Sequence, residues 1–445
     1  MKILLVALGT TARAHCLAEA IASSASEPEL VAFMPAKNPG VLKLAKKVRF
    51  APVTDLEALR QFARETSPDL AVISPDDAVA AGCADALIDA EVPSVGPLKS
   101  LARLESSKSF TRALLAKHGV PGSPGHKIFT QKNADEVPAY LKDLGESFVV
   151  KPDGLTGGKG VKVSGEHLKT RAEGAAYVQE ILKTHSAVVI EEKLEGEEFS
   201  IQYLTDGRTV CPTPAAQDHK RAFENDEGPN TGGMGSYSFP DHSLPFLEKK
   251  DLAEAKAITE KTAAALKRET GLEYKGVMYG GFMKTAHGTK LIEYNARFGD
   301  PEVMNVLPII ESDFADVCEA ITAGTLNKTA PKFKPLATVC KYAVPQGYPT
   351  NPVQGQQVDV SGMPKEGRFY FGSVESLNPE NTLLKMGRSR AIACVGIAPT
   401  IGEAEKIAEK TVSAIKGPVF HRRDIATKTL LDKRVEHVKK ILSGK

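Results

Sequence analysis

In "LIEYNARFGDPE", residues 291–302, Glu293 and Asn295 fall on one side of an expected strand and Arg297 continues that face. Hard oxygen ligands beside an arginine suit Mg²⁺ bridging phosphates, with a guanidinium for a carboxylate or a developing phosphoryl charge. An internal strand carrying such a face without that task would bury charge at considerable cost. Further upstream, "KPDGLTGGKGV" joins Lys151, at a strand end, to Gly157, Gly158, Lys159 and Gly160. Bare backbone there can fold over phosphates while a lysine supplies charge; the plainer reading is a hairpin turn with a stray lysine. It is not a Walker A loop, because only three residues separate Gly154 from Gly158 and no Ser or Thr follows Lys159. "VVIEEKLEGEEFS" sets Glu191 and Glu192 at the end of an apolar strand, followed by Leu194 and by Glu197 and Glu198. Acids so placed could accept from an adenine amino group or ribose hydroxyls, although charge runs more often form a solvated face. "GPNTGGMGSYS", residues 228–238, leaves the main chain almost bare, either for close approach to a ligand or as a flexible surface loop.

The elements that must position these residues can be read from the apolar pattern. Between residues 2 and 97, the short runs "KILLVAL", "ELVAFMP", "LAVIS" and "PSVGP" alternate with helices expected near 11–24, 55–66 and 77–90, a doubly wound α/β unit. Its first strand ends at Gly9 before "TTARAH" opens a helix, where free backbone N–H groups could hold a phosphate. A helix near 106–118 stops at "HGVPGSPGH", and a new unit starts there. That unit reads as α+β: "SFVVKPDG" as strand and turn, "KGVKVS" as its partner, a helix near 168–184 and "AVVIEEKL" as a further strand. A long helix is expected at 248–270, and "KGVMYGGFMK" with "KLIEYNARF" forms a buried hairpin. From about residue 328 a smaller C-terminal domain follows, with "AIACVGIAPTIGEAEKIAEKTVSAI" as strand and helix. In the tail, Leu431, Val435, Val438 and Leu442 recur at helical spacing, an apolar stripe expected to pack on the protein itself.

Composition narrows the function classes. The chain is 42% hydrophobic and 25% charged, ordinary for a globular protein of two to four domains, and its net charge of +2 leaves no broad basic footprint for nucleic acid. Small anions need only local positive charge. Six scattered cysteines form no CxxC or Cys/His metal spacing and read as free thiols. No apolar stretch approaches the ~20 residues that span a bilayer, and the N-terminal run fits a buried strand rather than a cleaved signal. The expected address is cytoplasmic, with no membrane partner.

In this order, a lysine strand, a glycine-rich flap, an acidic hinge and a Glu-x-Asn strand resemble an ATP-grasp enzyme. With "QDHKR" at 217–221, "GPNTGGMG" at 228–235, "RFGDPE" at 297–302, "ESSK" at 105–108, and "RSRAIACVGI" and "FHRRDI" near the C-terminus, the chain is similar to the phosphoribosylamine–glycine ligase family over nearly its whole length. The resemblance implies an ATP-grasp fold with an N-terminal doubly wound parallel-sheet domain over 1–101, an ATP-grasp domain over 102–327 with its flap at about 120–195, and a small C-terminal domain over 328–445. It implies ligation of glycine to 5-phosphoribosylamine with ATP and Mg²⁺ or Mn²⁺, by a monomer or weak homodimer. Glu293 and Asn295 would hold the metal. Lys108, Lys151 and the flap, Gly157 to Gly160 including Lys159, would hold the ATP phosphates, with Glu191, Glu192 and Leu194 at adenine and Glu198 at ribose. Arg297, Asp218, Lys220, Asn230, Gly232 and Gly233 would face the glycine and the acyl phosphate. Arg13, His15, Asp76, His219 and Asp300 would bind substrate.

The N-terminal domain departs from the family pattern. Thr11, Ala12, Arg13, Ala14 and His15 stand where the family has Gly-Gly-Arg-Glu-His, and Ser74, Pro75 and Asp76 where it has Gly-Pro-Glu. Val303 and Met304 are more apolar than the usual pair. These changes admit a rival, an ATP-grasp carboxylate–amine ligase with another amine. A second rival is an ATP-binding protein without turnover, against which the complete Lys, Glu, Asn and Arg set stands.

Overall fold

The computed structural model describes residues 1–155 and 160–444. Gly157, Gly158 and Lys159 of the expected flap lie outside the described residues. The N-terminal unit is a five-stranded parallel sheet in the spatial order Lys47–Phe50, Glu29–Met34, Lys2–Val6, Leu70–Ile73, Ser94–Val95. Helices on both faces explain why its central strands read as continuous apolar runs, with Ile3, Leu4, Leu5 and Val6 fully buried. The order reverses between Lys2–Val6 and Leu70–Ile73, which opens a crevice at their carboxyl ends. Helix Ala12–Ala22 begins on one side of that crevice and helix Asp76–Ala81 on the other. Gly9 makes the turn possible: its φ is +77°, and a Cβ there would lie 2.0 Å from the Ala36 carbonyl oxygen.

Two features of this unit differ from the sequence pattern. The edge strand Lys47–Phe50, "KVRF", has no apolar run to mark it. The helix expected over 77–90 is broken at Gly82, φ +100°, into Asp76–Ala81 and Cys83–Ile88. The helix expected near 106–118 is Lys108–Lys117. Ser107 is extended between Lys99–Ser106 and Lys108–Lys117 and accepts a hydrogen bond from the Phe110 N–H, so Lys108 opens a helix instead of lying inside one.

Two antiparallel sheets follow. One has the order His126–Phe129, Val188–Glu192, Phe148–Pro152, Lys162–Val163 and packs helices Val137–Leu144 and Arg171–Ile181 over its own small core, which includes Phe129, Leu141, Phe148 and Ile190. The other has the order Val210–Pro212, Glu197–Asp206, Lys275–Thr285, Gly288–Asn295, with helix Lys249–Thr270 behind it. The expected hairpin is its last strand pair. Register shifts between Gly281 and Phe282, leaving Ile292 unpaired as a bulge beside Glu293.

The C-terminal sheet crosses the expected boundary near residue 328. Strand Ala337–Pro345 pairs with Ile392–Ala398 and also with Gly235–Ser238, which in turn pairs with Gln217–Asp218. The glycine-rich loop is therefore strung between two strands of this sheet. The terminal helix Lys428–Leu442 buries Leu430, Leu431 and Val438 and half-buries Val435, whereas Leu442 is 48% exposed, so the apolar stripe ends one turn early.

Candidate active site

A cleft of about 1060 Å³ collects side chains from all of these units. From the flap sheet comes Lys151, whose Nζ lies 2.7 Å from Glu191 Oε2 and donates to the Ile292 carbonyl at 3.4 Å. Arg112 reaches the same carboxylate from a helix, with Nε donating to Glu191 Oε1 at 2.6 Å. Burial would raise the Glu191 pKa, but Lys151 and Arg112 outweigh it and hold the group at about 2. Both Glu191 oxygens are thus committed to holding cations. Strand alternation turns Glu192 to the opposite face, where it accepts from the Gly125 N–H at 2.8 Å. Neither Glu192 nor Leu194 lines the cleft with its side chain among the described residues. Of the three residues expected at adenine, only Glu191 lines the cleft among the described residues.

Lys108 Nζ donates to the Gly154 carbonyl at 3.0 Å, which ties the helix start to the turn that leads into the flap. Its pKa is lowered by burial, against the pull of Glu293. Gly160, at the far end of the flap, accepts from the Tyr177 hydroxyl at 2.9 Å. Glu293 and Asn295 face the cleft from strand Gly288–Asn295, paired with Gly281 and Tyr279. Burial pushes the Glu293 pKa up, but Lys220, Lys151, Lys108 and Arg297 together hold it below the usual carboxylate range. Among the described residues no hydrogen bond occupies the side chain of Glu293 or Asn295, and no group of three His, Cys, Asp or Glu is placed to hold a metal. Two hard oxygen donors fit a divalent cation that takes its other ligands from phosphate and water.

Lys220 lies 3.2 Å from Glu198 and is held protonated by Glu198, with Glu293 adding to the effect. Asp218 is pushed well above the carboxylate range by burial and by Glu302, and its Oδ1 is buried without a partner among the described residues. The adjacent glycines serve the protein's own packing as well as any ligand. Gly233 has φ +110°, and a Cβ there would sit 2.5 Å from Asp218 Oδ1 and 2.6 Å from Pro301. The carbonyls of Gly232 and Gly233 accept from Arg390 Nη1 at 2.7 and 3.0 Å. Asn230 lies on the exposed lip of the cleft at the end of strand Glu227–Asn230.

At the other end, Arg13 donates from Nε to Ser74 Oγ at 3.2 Å and from Nη1 to the Phe298 carbonyl at 2.7 Å. Arg297 donates to the same carbonyl and pairs with Glu105 at 3.1 Å, and its Nε is buried without a partner. Burial and the neighbouring Arg297 lower the Arg13 pKa to about 10, while Asp300, Asp76 and Glu105 oppose them. Asp300 accepts from the Tyr342 hydroxyl at 2.6 Å and pairs with Arg390 at 3.1 Å. Two guanidinium groups ringed by acids thus close this end of the cleft.

His15 is placed elsewhere. Two residues on from Arg13, it is turned about 200° around the helix. Its Nδ1 accepts from the Phe371 N–H at 2.9 Å, its ring stacks on Phe371 at 5.4 Å, and burial with nearby Lys43 lowers its pKa to about 4. Expected at the substrate, His15 does not line the cleft among the described residues and is a neutral peg between the N- and C-terminal units. His219 does line the cleft, with both ring nitrogens buried without partners and its pKa lowered to about 3 by burial and by Arg434 and Arg422. Sequence reasoning passed over Arg112, Glu105, Arg390 and the terminal-helix residues Arg434 and His437. Arg390 lies within "RSRAIACVGI" and Glu105 opens "ESSK", both usable signals; Arg112, Arg434 and His437 have their partners far away in the chain.

A lysine-bearing antiparallel sheet facing a second sheet that carries an acid and an amide defines an ATP-grasp enzyme. Residues 106–303 match the ATP-grasp (A) domain described for phosphoribosylglycinamide synthetase, residues 1–105 its N domain and residues 338–428 its C domain. The chain belongs to the phosphoribosylglycinamide synthetase family. It is similar to a phosphoribosylamine–glycine ligase of Methanocaldococcus jannaschii, 47% identical over 99% of this chain and 100% of the relative, and to that of Methanoregula boonei, 46% identical with the same coverage. Among solved structures, a phosphoribosylamine–glycine ligase from Thermotoga maritima matches with a TM-score of 0.79 at 25% identity, covering 96% of this chain and 100% of that one.

Proposed function

We propose that the chain joins glycine to 5-phosphoribosylamine with conversion of ATP to ADP and phosphate, the step of purine biosynthesis that yields glycinamide ribonucleotide. The observation that carries this reading is the convergence of Lys108, Lys151, Lys220 and Arg297 on Glu293 in the same cleft that holds Arg13 and Asp76. A nucleotide end and a phosphosugar end thus share one space. Glu293 and Asn295 would hold the divalent cation, Mg²⁺ or Mn²⁺, which when bound would neutralise phosphate charge. Lys151 and Lys108 hold the transferring phosphate, and Glu191 keeps Lys151 in place. A glycine carboxylate oxygen attacks the γ-phosphorus as its bond to ADP breaks, giving glycyl phosphate. The ribosylamine nitrogen then attacks the carbonyl carbon, phosphate departs with the C–O electron pair, and the amine releases a proton. Arg297 and Lys220 offset the charge at the acyl phosphate, and the 228–235 loop borders it. Neutralisation and positioning of reactants that would otherwise repel supply most of the catalysis.

Arg13 grips the 5-phosphate, with Asp76 and Asp300 beside the ribose. The altered N-terminal turn is compatible with that substrate. Thr11 is extended at φ −123°, a conformation that needs no glycine, and Ala14 is buried in the core. The test is glycine-dependent ADP release titrated with freshly made phosphoribosylamine. Saturation is expected; no response to it alongside a response to another amine would transfer the site to a ligase of different amine specificity.

A further inference from the structure

The terminal helix Lys428–Leu442 begins where the family's C domain match ends, at residue 428. One side of it is anchored in the core by Leu431 and Val438. Lys433, Glu436, His437 and Lys440, spaced i, i+3, i+4 and i+7, line the cleft with Arg434. That face is polar at every position, and two of its side chains hold acids that belong to other parts of the site.

His437 Nδ1 lies 2.6 Å from Glu197 Oε1, and Arg434 Nη1 is 3.6 Å from the same oxygen. The other oxygen of Glu197 accepts from Gln217 Nε2 at 3.1 Å. Glu197 opens the strand that carries Glu198, and Gln217 precedes Asp218. Arg434 Nη2 also lies 2.5 Å from Asp226 Oδ2, whose Oδ1 pairs with Arg422 at 3.1 Å. Asp226 is in the turn of the hairpin formed by Arg221–Phe223 and Glu227–Asn230, a mostly exposed lip that ends in Asn230. Asn225 and Asp226 both have φ near +60°, a left-handed region that Asn and Asp enter more readily than other non-glycine residues, and contacts from outside the hairpin add restraint to the turn. Arg434, Arg422 and Asp424, which accepts from the Asn225 N–H at 3.0 Å, provide it.

We infer that the terminal helix is a positioning element of the ligation site, in which Arg434 and His437 set the hairpin 221–230 and the start of strand Glu197–Asp206 for binding glycine. This rests on the proposed function only in assigning the hairpin to the glycine end. Arg434 and His437 act through Asp226 and Glu197 and touch no reacting atom in this arrangement.

Two measurements on the full-length protein test it. In Arg434→Gln, amide hydrogen exchange across residues 221–230 should accelerate at least about tenfold, with the flap sheet and the N-terminal sheet unchanged; this readout requires no substrate. In steady-state assays the same variant should raise the KM for glycine about tenfold or more, leave the KM for phosphoribosylamine within about twofold and keep the melting temperature within a few degrees. Arg434→Lys, which retains the charge, should recover much of the loss. Unchanged exchange in the hairpin overturns the inference, as does an equal rise in every KM. Faster hairpin exchange in an enzyme that ignores phosphoribosylamine would instead strike at the functional reading and leave the positioning role supported.

Discussion

The two ends of the cleft are built differently. At the nucleotide end, Lys151, Glu191, Glu293 and Asn295 project from paired strands, and alternation along each strand decides which side chain enters the cleft. At the amine end, Arg13 and Asp76 sit on the first turns of two helices, and Glu105, Phe298 and Asp300 come from other parts of the chain. Strands set a polar side chain by local register, whereas helix starts set it by how distant elements dock. Substitutions at the nucleotide end should therefore act on chemistry. Those at the amine end should act on one substrate's binding.

The sharpest separation is expected from Glu293→Gln, which removes a metal carboxylate without changing volume. Turnover should fall by at least about 100-fold with the circular dichroism spectrum unchanged. Near-normal turnover at ordinary Mg²⁺ would remove Glu293 from the metal site. Arg13→Ala should raise the KM for phosphoribosylamine by about 10- to 100-fold, the loss expected for a charge-assisted hydrogen bond, and leave the KM for ATP and for glycine alone. A matching rise for ATP would erase the division between the ends.

A third comparison uses pH. The Glu191 carboxyl is held at about 2 in the folded protein against an ordinary value of 4.5. A depressed folded pKa stabilises above the unfolded value and loses that contribution as pH falls through the folded one. The difference in urea midpoint between wild type and Glu191→Gln should be fully present above pH ~4.5 and shrink toward pH ~2. A constant difference across that window would mean that the Lys151–Glu191–Arg112 cluster is not ionised as described. The smallest effect on binding is expected from His15→Ala. Loss of the buried ring and its hydrogen bond should destabilise the protein by about 1–3 kcal/mol, while the KM for phosphoribosylamine stays within about twofold.

Legibility in the sequence follows the same division. Apolar runs mark the central strands of the first sheet, and the alternation of Glu293 and Asn295 is enough to put both residues on one face of their strand, the face that lines the cleft. The same rule turns the Glu192 side chain away from the face that Glu191 presents. His15 is turned away from Arg13 by the helical counterpart of that rule. Strand Lys47–Phe50 leaves no apolar mark because it lies at a sheet edge. Arg112 and Glu191 are 79 residues apart and Arg434 and Asp226 are 208 apart, so only the assembled fold reveals what those arginines hold.

The central claim is that glycine is activated as its acyl phosphate before the amine attacks. Glycine labelled with ¹⁸O in both carboxylate oxygens, turned over with ATP and phosphoribosylamine, tests it most directly by mass analysis of the released phosphate. One ¹⁸O atom is expected in each phosphate formed, carried over when the carboxylate oxygen attacks the γ-phosphorus. Unlabelled phosphate accompanying product formation would contradict it.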